Sequence, residues 1–544
     1  MCHWVGPDGS SIALDAARLR AALLDVRQPV AIVALADGSA AVRQDATFAS
    51  EGDPRSRDER VVARVPPCPP EALGSRSFRA SLGARYACVS GAMANGIASV
   101  ELVEAMAGGG MAGFFGAAGL SLEAIDAAIT RLSTSVGELP RGFNLIHTPA
   151  EPNHEAAVVD LYIRRGVRLV EASAFLDLTL PLVRYRLHGI HRDTNGRVVT
   201  PNRVVGKASR TEVASKFFAP PPARLLAPLV EAGHLTPAQA ELAGEIPMAQ
   251  DVTAEADSGG HTDNRPALAL VPTFIALRDR QQQAHGFRQE LRVGAAGGIA
   301  TPHAAAAAFT LGAAYIVTGS VNQGCVEAGT SAAVRKMLAE AEQTDVTMAP
   351  APDMFEMGVR VQVLKRGTLF AARGAKLYEL YRKHDSLEEI PAKERAWLEK
   401  NLFRAPLESI WQETRAYFLE RDPRQAELGD NDAKHRMALV FRWYLGLASR
   451  WANSGDPARK LDYQIWCGPA MGAFNEWVRG SFLEFPENRT AVAVALNILH
   501  GAAVILRIQS LRLQGVELDG SLASVTPLEP ELLQAQLNHA RANA

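Results

Sequence analysis

The sequence is poor in cysteine and carries no excess of charge of either sign. Five cysteines are scattered over 544 residues without a CxxC pair, which argues against a disulfide framework and against a structural zinc site. With 57 Lys and Arg against 59 Asp and Glu, the chain lacks the basic field that nucleic-acid binding requires. We therefore expect a protein of a reducing compartment that does not bind nucleic acid.

Segments that would direct the chain to a membrane are also missing. The N-terminus has no basic stretch followed by an apolar one, so no secretory signal is predicted. The longest apolar stretch, residues 491–506, contains Asn497 and His500 and is shorter than the roughly 18 residues that a spanning helix needs. A cytoplasmic location without a membrane partner is expected.

Tryptophan is absent between residues 80 and 330, whereas six of the seven tryptophans lie beyond residue 350. This change of composition and the proline-rich stretches at 66–70 and 349–352 divide the chain into segments. At roughly 100–200 residues per domain, the length allows two to four domains. The predicted segments are a small β-rich N-terminal segment (1–75), a barrel-forming segment (76–345), a helical substrate or cap module (346–515) and a tail (516–544).

The middle segment alternates short β-type runs with alanine-rich amphipathic stretches. This alternation indicates parallel strands joined by right-handed crossovers, and eight such units in about 250 residues are typical of a (β/α)8 barrel. We therefore predict an α/β fold built on a TIM barrel, with an open doubly wound sheet as the alternative. The eight runs are 86–91, 111–116, 142–147, 169–174, 203–207, 248–257, 291–298 and 314–320.

Two glycine-containing loops are candidates for binding phosphate. Gly297 and Gly298 follow the seventh run, and Gly319 and Ser320 follow the eighth, so a barrel brings both loops to the same face. Backbone N–H groups of such loops bind phosphate closely because glycine has no Cβ, although each pair also suits a plain tight turn. Residues 108–113 fit the GxGxxG pattern, but they follow a helix and precede a strand, the reverse of a dinucleotide-binding motif.

Three polar side chains are expected at the same end of the barrel. His261 follows the sixth run on the loop Asp257-Ser-Gly-Gly-His, predicted to be open and flexible, and imidazole suits proton donation near neutral pH. Lys207 ends an otherwise apolar run, where it either balances charge on a bound cofactor or pairs with a carboxylate such as Glu171. Asn144 interrupts the apolar third run and needs a partner, either a cofactor edge or neighbouring backbone.

The glycine-rich segments are SGAMANGIAS (90–99), GFFGAAG (113–119), ADSGGH (256–261), GAAGGI (294–299) and VTGSVNQ (317–323). Together they resemble the FMN-dependent nitronate monooxygenase and enoyl-reductase barrel superfamily. Segments 354–368, 441–455 and 463–475 resemble one branch of it, the trans-acting enoyl reductases of polyketide and polyunsaturated fatty acid synthases. The resemblance spans about residues 80–515.

This resemblance implies an FMN-dependent enzyme that reduces the α,β-double bond of 2-enoyl thioesters with NADPH or NADH. It implies His261 as the residue that polarises the thioester carbonyl or protonates Cα, and from its charge we predict Lys207 to stabilise negative charge at the flavin edge. Gly297, Gly298, Gly319 and Ser320 would hold the FMN phosphate. The cofactor-binding residues implied are Ala92, Met93, Asn144, Lys207, Asp257, Gly259, Gly260, Gly297, Gly298, Gly319 and Ser320.

The resemblance also implies partners, namely an acyl carrier protein that bears the enoyl-phosphopantetheine and the synthase complex around it. The basic cluster of Arg360, Lys365, Arg366 and Arg373 either receives an acidic carrier helix or is a solvated face. The helical module either roofs the barrel mouth and shapes an acyl tunnel or provides a homodimer face. Two rival functions remain open, a nitronate monooxygenase-type flavin oxidase and a non-catalytic barrel that serves as an interaction subunit.

Overall fold

Eight parallel strands in the middle of the chain close into a barrel. The computed structural model describes residues 3–5, 11–44, 59–149, 151–518 and 520–538. Each barrel strand pairs with the next one along the chain, and the eighth pairs with the first through Ile316 and Cys88. The predicted TIM barrel is therefore confirmed over an open sheet. The strands are Cys88–Ser90, Ala112–Phe115, Arg141–Ile146, Leu169–Ser173, Arg203–Ala208, Asp251–Glu255, Arg292–Ala296 and Tyr315–Thr318.

Helices cover the outside of the barrel and follow each strand in turn. Several begin at a Ser or Thr whose hydroxyl oxygen accepts a backbone N–H of the first turn, as at Ser99, Ser121 and Thr301. The helices of this layer are Val100–Gly108, Leu122–Ser135, Pro152–Arg164, Leu180–Leu187, Thr211–Phe218, Ala223–Glu231, Pro237–Leu242, Ala267–His285, Pro302–Thr310, Ser320–Gln323 and Ala332–Ala339.

The GxGxxG-like stretch is a turn between a helix and a strand. The preceding helix ends at Gly108, Gly110 adopts a φ of +80°, and the second barrel strand begins at Ala112. A dinucleotide-binding loop would instead follow a strand and open a helix. The rejection of that motif is therefore confirmed.

The lower end of the barrel is closed by its own side chains. Arg292 and Asp251, both fully buried at the starts of their strands, form an ion pair with 2.6 Å between Nε and Oδ1. The helix Arg76–Leu82 covers this end, and its Phe78 stacks on Tyr315 with 4.1 Å between ring centroids. A ligand must therefore enter from the opposite end, where the strands have their carboxyl termini.

The two ends of the chain meet in one sheet. Strand His3–Val5 pairs with Ser11–Ala13 on one side and with Val516–Glu517 on the other. A second sheet has Val30–Leu35 between Ala40–Arg43 and Glu59–Val65. The short helices Ala16–Leu24, Gly520–Ala523 and Pro530–Asn538 complete these regions.

The region after the barrel begins with two antiparallel strands, Val346–Pro350 and Arg360–Leu364. The second of them also pairs with Gly260–His261, the short strand that follows the sixth barrel strand. Helices between residues 370 and 454 enclose a separate apolar core. The helical elements of this region are Phe370–Lys383, Ala392–Leu398, the π-helical turn Glu399–Phe403, Leu407–Arg421, Pro423–Asn431, Ala433–Ser454, Ala470–Val478 and Ala491–Arg512.

The helix Ala491–Arg512 packs against the barrel and the N-terminal segment. It is 22 residues long and, by length and composition alone, apolar enough to cross a membrane, with a mean hydropathy of 1.9. Most of it (83% of its most apolar window) is buried inside the structure, as in the core helix of a folded domain. The apolar residues of this helix share one core with the barrel. The division of the chain at residues 75, 345 and 515 stays a prediction.

Candidate functional site

A chamber of about 540 Å³ lies at the carboxyl-terminal end of the barrel strands. Its floor comes from strand ends and the loops that follow them. Its roof comes from the helices Leu407–Arg421 and Ala433–Ser454 and from the extended segment 463–467. The predicted site residues on the floor are Ala92, Met93, Asn144, Lys207, Gly259, Gly260 and His261.

A smaller cleft of about 90 Å³ adjoins the chamber between the seventh and eighth strand ends. Gly297, Gly298, Gly319 and Ser320 line it. Ala92, Met93, Lys207 and Gly259 line both cavities, so the two lie side by side and share a wall. Loops far apart in sequence thus converge on one site, as the barrel arrangement predicts.

The two glycines after the seventh strand have different roles. Both have positive φ values, +82° for Gly297 and +75° for Gly298, which side chains other than glycine rarely adopt. A Cβ on Gly297 would lie 2.5 Å from the backbone carbon of Ala256, so this glycine permits close packing of two strand ends. A Cβ on Gly298 would meet none of the described residues within 4 Å, which leaves the backbone there open to the cleft.

Asp257 is the exception among the predicted site residues, because it lines neither cavity. Its Oδ1 accepts hydrogen bonds from Gln362 Nε2 at 2.6 Å and from Asn264 Nδ2 at 2.8 Å. These bonds fix the loop after the sixth strand against Arg360–Leu364. The position of Asp257 therefore supports a structural role and gives no support to the predicted cofactor contact.

The same loop is less open than predicted. A Cβ on Gly259 would lie 2.9 Å from the backbone nitrogen of Cys467, and Ser320 Oγ accepts the N–H of Gly468 at 3.2 Å. His261 itself lies in a strand, paired with Val361. The prediction of a flexible, sterically open loop is wrong because a later segment of the chain packs on it.

Lys207 lies between two carboxylates. Its Nζ is 3.0 Å from Oε1 of Glu255, and Glu171 is a second, fully buried neighbour that accepts the N–H of Ala92 at 2.8 Å. Burial alone would lower the pKa of Lys207, but Glu255 and Glu171 outweigh it and the pKa is raised. Burial raises the pKa of Glu171, so this carboxyl group holds its proton more readily than an exposed one. The positive charge of Lys207 is therefore already balanced by a carboxylate of the protein, that of Glu255.

Asn144 is held by its neighbours in the barrel. Its Nδ2 donates to the backbone oxygen of Glu171 at 3.2 Å and to Ser173 Oγ at 3.0 Å. Of the two partners considered for this buried amide, neighbouring barrel groups are the ones observed. The residue still lines the chamber floor.

His261 pairs with a residue that the sequence did not suggest. Its Nε2 is 3.2 Å from Oδ1 of Asp353, and both side chains line the chamber with about a third of their surface exposed, 32% and 33%. Burial lowers the pKa of His261, but the charge and hydrogen bond of Asp353 outweigh it, so the pKa is raised. The imidazole is therefore biased toward the protonated form, which a proton donor needs.

Comparison with known proteins places this site in a family. Residues 80–376 match the family described as nitronate monooxygenase, which is more than half of the chain. The chain belongs to the nitronate monooxygenase family. This is a family of oxidoreductases, and the match covers the barrel and the paired strands behind His261. Residues 384–463 separately match the inserted helical domain of acyl-carrier-protein S-malonyltransferase.

Three proteins show which members of the nitronate monooxygenase family this chain resembles. It is 38% identical to the enoyl reductase domain of MlnA from the macrolactin biosynthesis cluster of Bacillus amyloliquefaciens, with a TM-score of 0.77 over 82% of this chain and 100% of that structure. It is 47% identical to one of the polyunsaturated fatty acid synthase polypeptides of Thraustochytrium sp., over 82% of this chain and 30% of that protein. It is 45% identical to polyketide biosynthesis protein PksE of Bacillus subtilis, over 81% of this chain and 58% of that protein. The chain thus spans less than two thirds of the curated relatives that it matches.

The roof of the chamber holds the functional candidates that sequence reasoning missed. Trp466 and Gln464 face the chamber from an extended segment whose alternate residues are buried elsewhere. Trp443 and Phe418 line it from two helices. Among these residues, only the tryptophans gave a signal in the sequence, through their concentration beyond residue 350.

Two of the four residues of the predicted basic cluster are paired with acidic side chains. Arg366 contacts Glu342 and Asp345, and Arg373 contacts the fully buried Asp462. Arg373 is thus part of the helical core and not of a docking surface. A carrier-binding role for all four residues is not supported by these contacts.

Proposed function

We propose that the protein is an FMN-dependent enoyl reductase that uses NADPH or NADH to reduce the α,β-double bond of carrier-bound 2-enoyl thioesters. The observation that carries this proposal is the likeness to the enoyl reductase domain of MlnA, which this chain covers completely at 38% identity. The relatives named for polyketide and polyunsaturated fatty acid synthesis supply the setting, the assembly of polyketides or such fatty acids.

The residues of the two cavities fit a flavin mononucleotide. The open backbone at Gly298 and Gly319 in the small cleft suits a phosphate, because no Cβ blocks its approach to the peptide groups. The wall shared by both cavities, including Ala92 and Met93, suits a flat ring. When bound, the flavin supplies hydride chemistry that no side chain can perform.

His261 supplies the proton in this proposal. Addition of hydride at Cβ of an enoyl thioester places negative charge on the thioester oxygen, and the resulting enolate must gain a proton at Cα. The imidazolium of His261 polarises the carbonyl by hydrogen bonding and then transfers its proton to Cα, with the N–H bond broken as the C–H bond forms. Lys207, Glu255 and Glu171 would form the polar floor of the site that holds the flavin.

The roof gives the chamber its selectivity for an acyl chain. Phe418, Leu439 and Trp443 are apolar or aromatic residues that line it from helices outside the barrel. Such a surface favours hydrocarbon over bulk water. We propose that the acyl chain lies under these helices while the thioester lies near His261, and that the phosphopantetheine arm of an acyl carrier protein delivers it from outside.

An anaerobic titration tests the proposal. The cofactor of the purified protein is identified by mass after release, and the protein is then mixed without oxygen with NADPH or NADH, followed by crotonyl-pantetheine. Bleaching of the flavin absorbance by the nicotinamide and its return on addition of the enoyl thioester, with butyryl-pantetheine as product, is expected. Absence of re-oxidation by the thioester would contradict the proposal.

The family match itself favours a second candidate, the oxidation of nitronates with oxygen. The same preparation is tested with a nitroalkane in air while oxygen consumption is measured. Oxygen-dependent nitroalkane turnover without enoyl reduction would support this candidate. A protein that retains no flavin and turns over neither substrate would instead support an interaction subunit.

A further inference from the structure

The partner of His261 comes from outside the barrel. Asp353 lies in the loop between Val346–Pro350 and Arg360–Leu364, and the second of these strands pairs with His261 through Val361. Backbone pairing thus fixes the histidine relative to the loop, and the 3.2 Å contact between Nε2 and Oδ1 joins the two side chains. The position of His261 therefore depends on a segment that follows the eighth barrel strand.

We infer that Asp353 is the positioning residue of His261, an inference that rests on the proposed role of His261 as proton donor. A carboxylate bound at Nε2 keeps a proton on that nitrogen and leaves Nδ1 as the nitrogen that faces the reaction. In the imidazolium, Nδ1–H is the donor. When its proton passes to Cα of the enolate, the N–H bond breaks, the C–H bond forms and neutral His261 remains bonded to Asp353. A proton taken up from bulk solvent restores the imidazolium after the product leaves.

The charges around His261 favour this arrangement. Asp353 and Glu255 stabilise the imidazolium, Lys207 opposes it, and the net effect raises the pKa of His261. Arg442 in turn interacts with Asp353, whose pKa is lowered because His261 outweighs the effect of burial. Of the charges that face the ring, Asp353 is the one in hydrogen-bonding contact.

A helix of the chamber roof holds the loop that carries Asp353. Arg442, in the helix Ala433–Ser454, donates from Nε to the backbone oxygen of Pro352 at 2.9 Å, and its guanidinium lies 3.3 Å from Oε1 of Glu356. Both contacts flank Asp353 in sequence. The position of the proton donor is thereby coupled to the seating of a helix that also roofs the chamber.

The test compares Asp353→Asn with the matched control Asp345→Asn. Asp345 lies next to the same pair of strands, but its carboxylate contacts Arg366 and not His261. The flavin-loaded protein is labelled at histidine Cε1, and the His261 signal is assigned by its loss in His261→Gln. NMR titration of Asp353→Asn is expected to show the midpoint of His261 lowered by about one pH unit or more, since a contacting opposite charge is removed. The control is expected to leave it unchanged.

Kinetics with crotonyl-pantetheine give an independent readout. Asp353→Asn is expected to lower kcat by about ten- to a hundredfold with KM changed by less than about twofold, because the substrate contacts remain. Activity that needs the imidazolium is lost as pH rises through its pKa, so the basic limb of kcat moves to lower pH. Asp353→Glu is expected to restore part of both effects.

The outcomes separate this inference from the proposed function. An unchanged His261 titration in Asp353→Asn would overturn the inference even if activity fell. Full enoyl reduction by His261→Gln would overturn the role of the histidine, whereas the titration would still report the contact with Asp353. Arg442→Gln is expected to shift the titration in the same direction by a smaller amount, and no shift would remove the helical module from the inference.

Discussion

The floor and the roof of the chamber are built in different ways. On the floor, the barrel register sets the positions of charged groups, since Lys207 pairs with Thr253 and Asn144 pairs with Glu171 across neighbouring strands. On the roof, helices from beyond residue 400 supply aromatic and apolar groups such as Phe418 and Trp443, together with charged groups such as Arg442. In the proposed function, the floor therefore supplies the groups next to the reacting atoms, and the roof supplies most of the aromatic surface that would contact the acyl chain.

This difference has a consequence for substitutions. A change on the floor is expected to affect the reaction of every substrate, because it alters groups next to the reacting atoms. A change on the roof is expected to discriminate among acyl chains and to leave the reaction of a short substrate intact. Asp353 is an exception, because it contacts His261 of the floor and lies in a loop held by Arg442 of a roof helix.

The largest effect is expected for His261→Gln on the floor. Removal of a proton donor lowers the rate by about a hundred- to ten-thousandfold, while reduction of the flavin by NADPH stays near its original rate. Stopped-flow measurement of the two half-reactions checks this outcome. The exposed His303 offers a matched control, and His303→Gln is expected to change neither half-reaction. A similar loss in both half-reactions would contradict a role limited to the enoyl substrate.

Lys207→Met is expected to destabilise the floor. It leaves Glu255 and Glu171 without their cation, and breaking a buried ion pair costs about 3–5 kcal/mol in the free energy of unfolding. Urea unfolding measures this change. The double variant Lys207→Met with Glu255→Gln is expected to recover most of the loss, since Glu255 is then neutral and burial already favours the protonated form of Glu171. Failure of the double variant to recover would show that the lysine stabilises the fold by packing alone.

Gly298→Ala tests the small cleft. A positive φ costs alanine about 1 kcal/mol, and the added methyl group projects into space that the phosphate would use. We expect flavin affinity to fall by about tenfold, the equivalent of one lost hydrogen bond. Gly166 has φ +67° and equally open surroundings among the described residues, so Gly166→Ala controls for backbone strain. Equal flavin affinity in both variants would exclude Gly298 from the phosphate site.

Gly446→Leu gives the smallest expected effect and tests the roof. Gly446 lines the chamber from a helix, and a Cβ there meets none of the described residues within 4 Å, so a leucine extends into the chamber. We expect kcat/KM for a twelve-carbon enoyl thioester to fall by about tenfold, in line with the roughly 1–3 kcal/mol cost of overpacking. Crotonyl-pantetheine should be reduced as before, and Gly446→Ala should have little effect on either. An equal loss for both substrates would break the proposed division between floor and roof.

The positions of the predicted residues show where sequence reasoning works. Lys207 and the glycines after the seventh and eighth strands were predicted at one end of the barrel because its parallel strands end on one face, and they line the chamber and the small cleft there. Asp257 looked equivalent in sequence, yet its carboxylate turns to Gln362 and Asn264. The direction of a side chain at a strand end depends on what packs there, and those partners lie about a hundred residues away or on the other side of a turn.

Local sequence patterns were enough to predict the barrel, its eight strands and the side chains at their ends, because strand and helix periodicity is local and a closed barrel leaves few arrangements. The folded chain was needed to show that Asp353 contacts His261, that Arg373 pairs with the buried Asp462, and that the helices after residue 400 cover the mouth. These contacts join segments that are distant in sequence. They form because whole surfaces pack together, and no short stretch of residues encodes which surface will meet which.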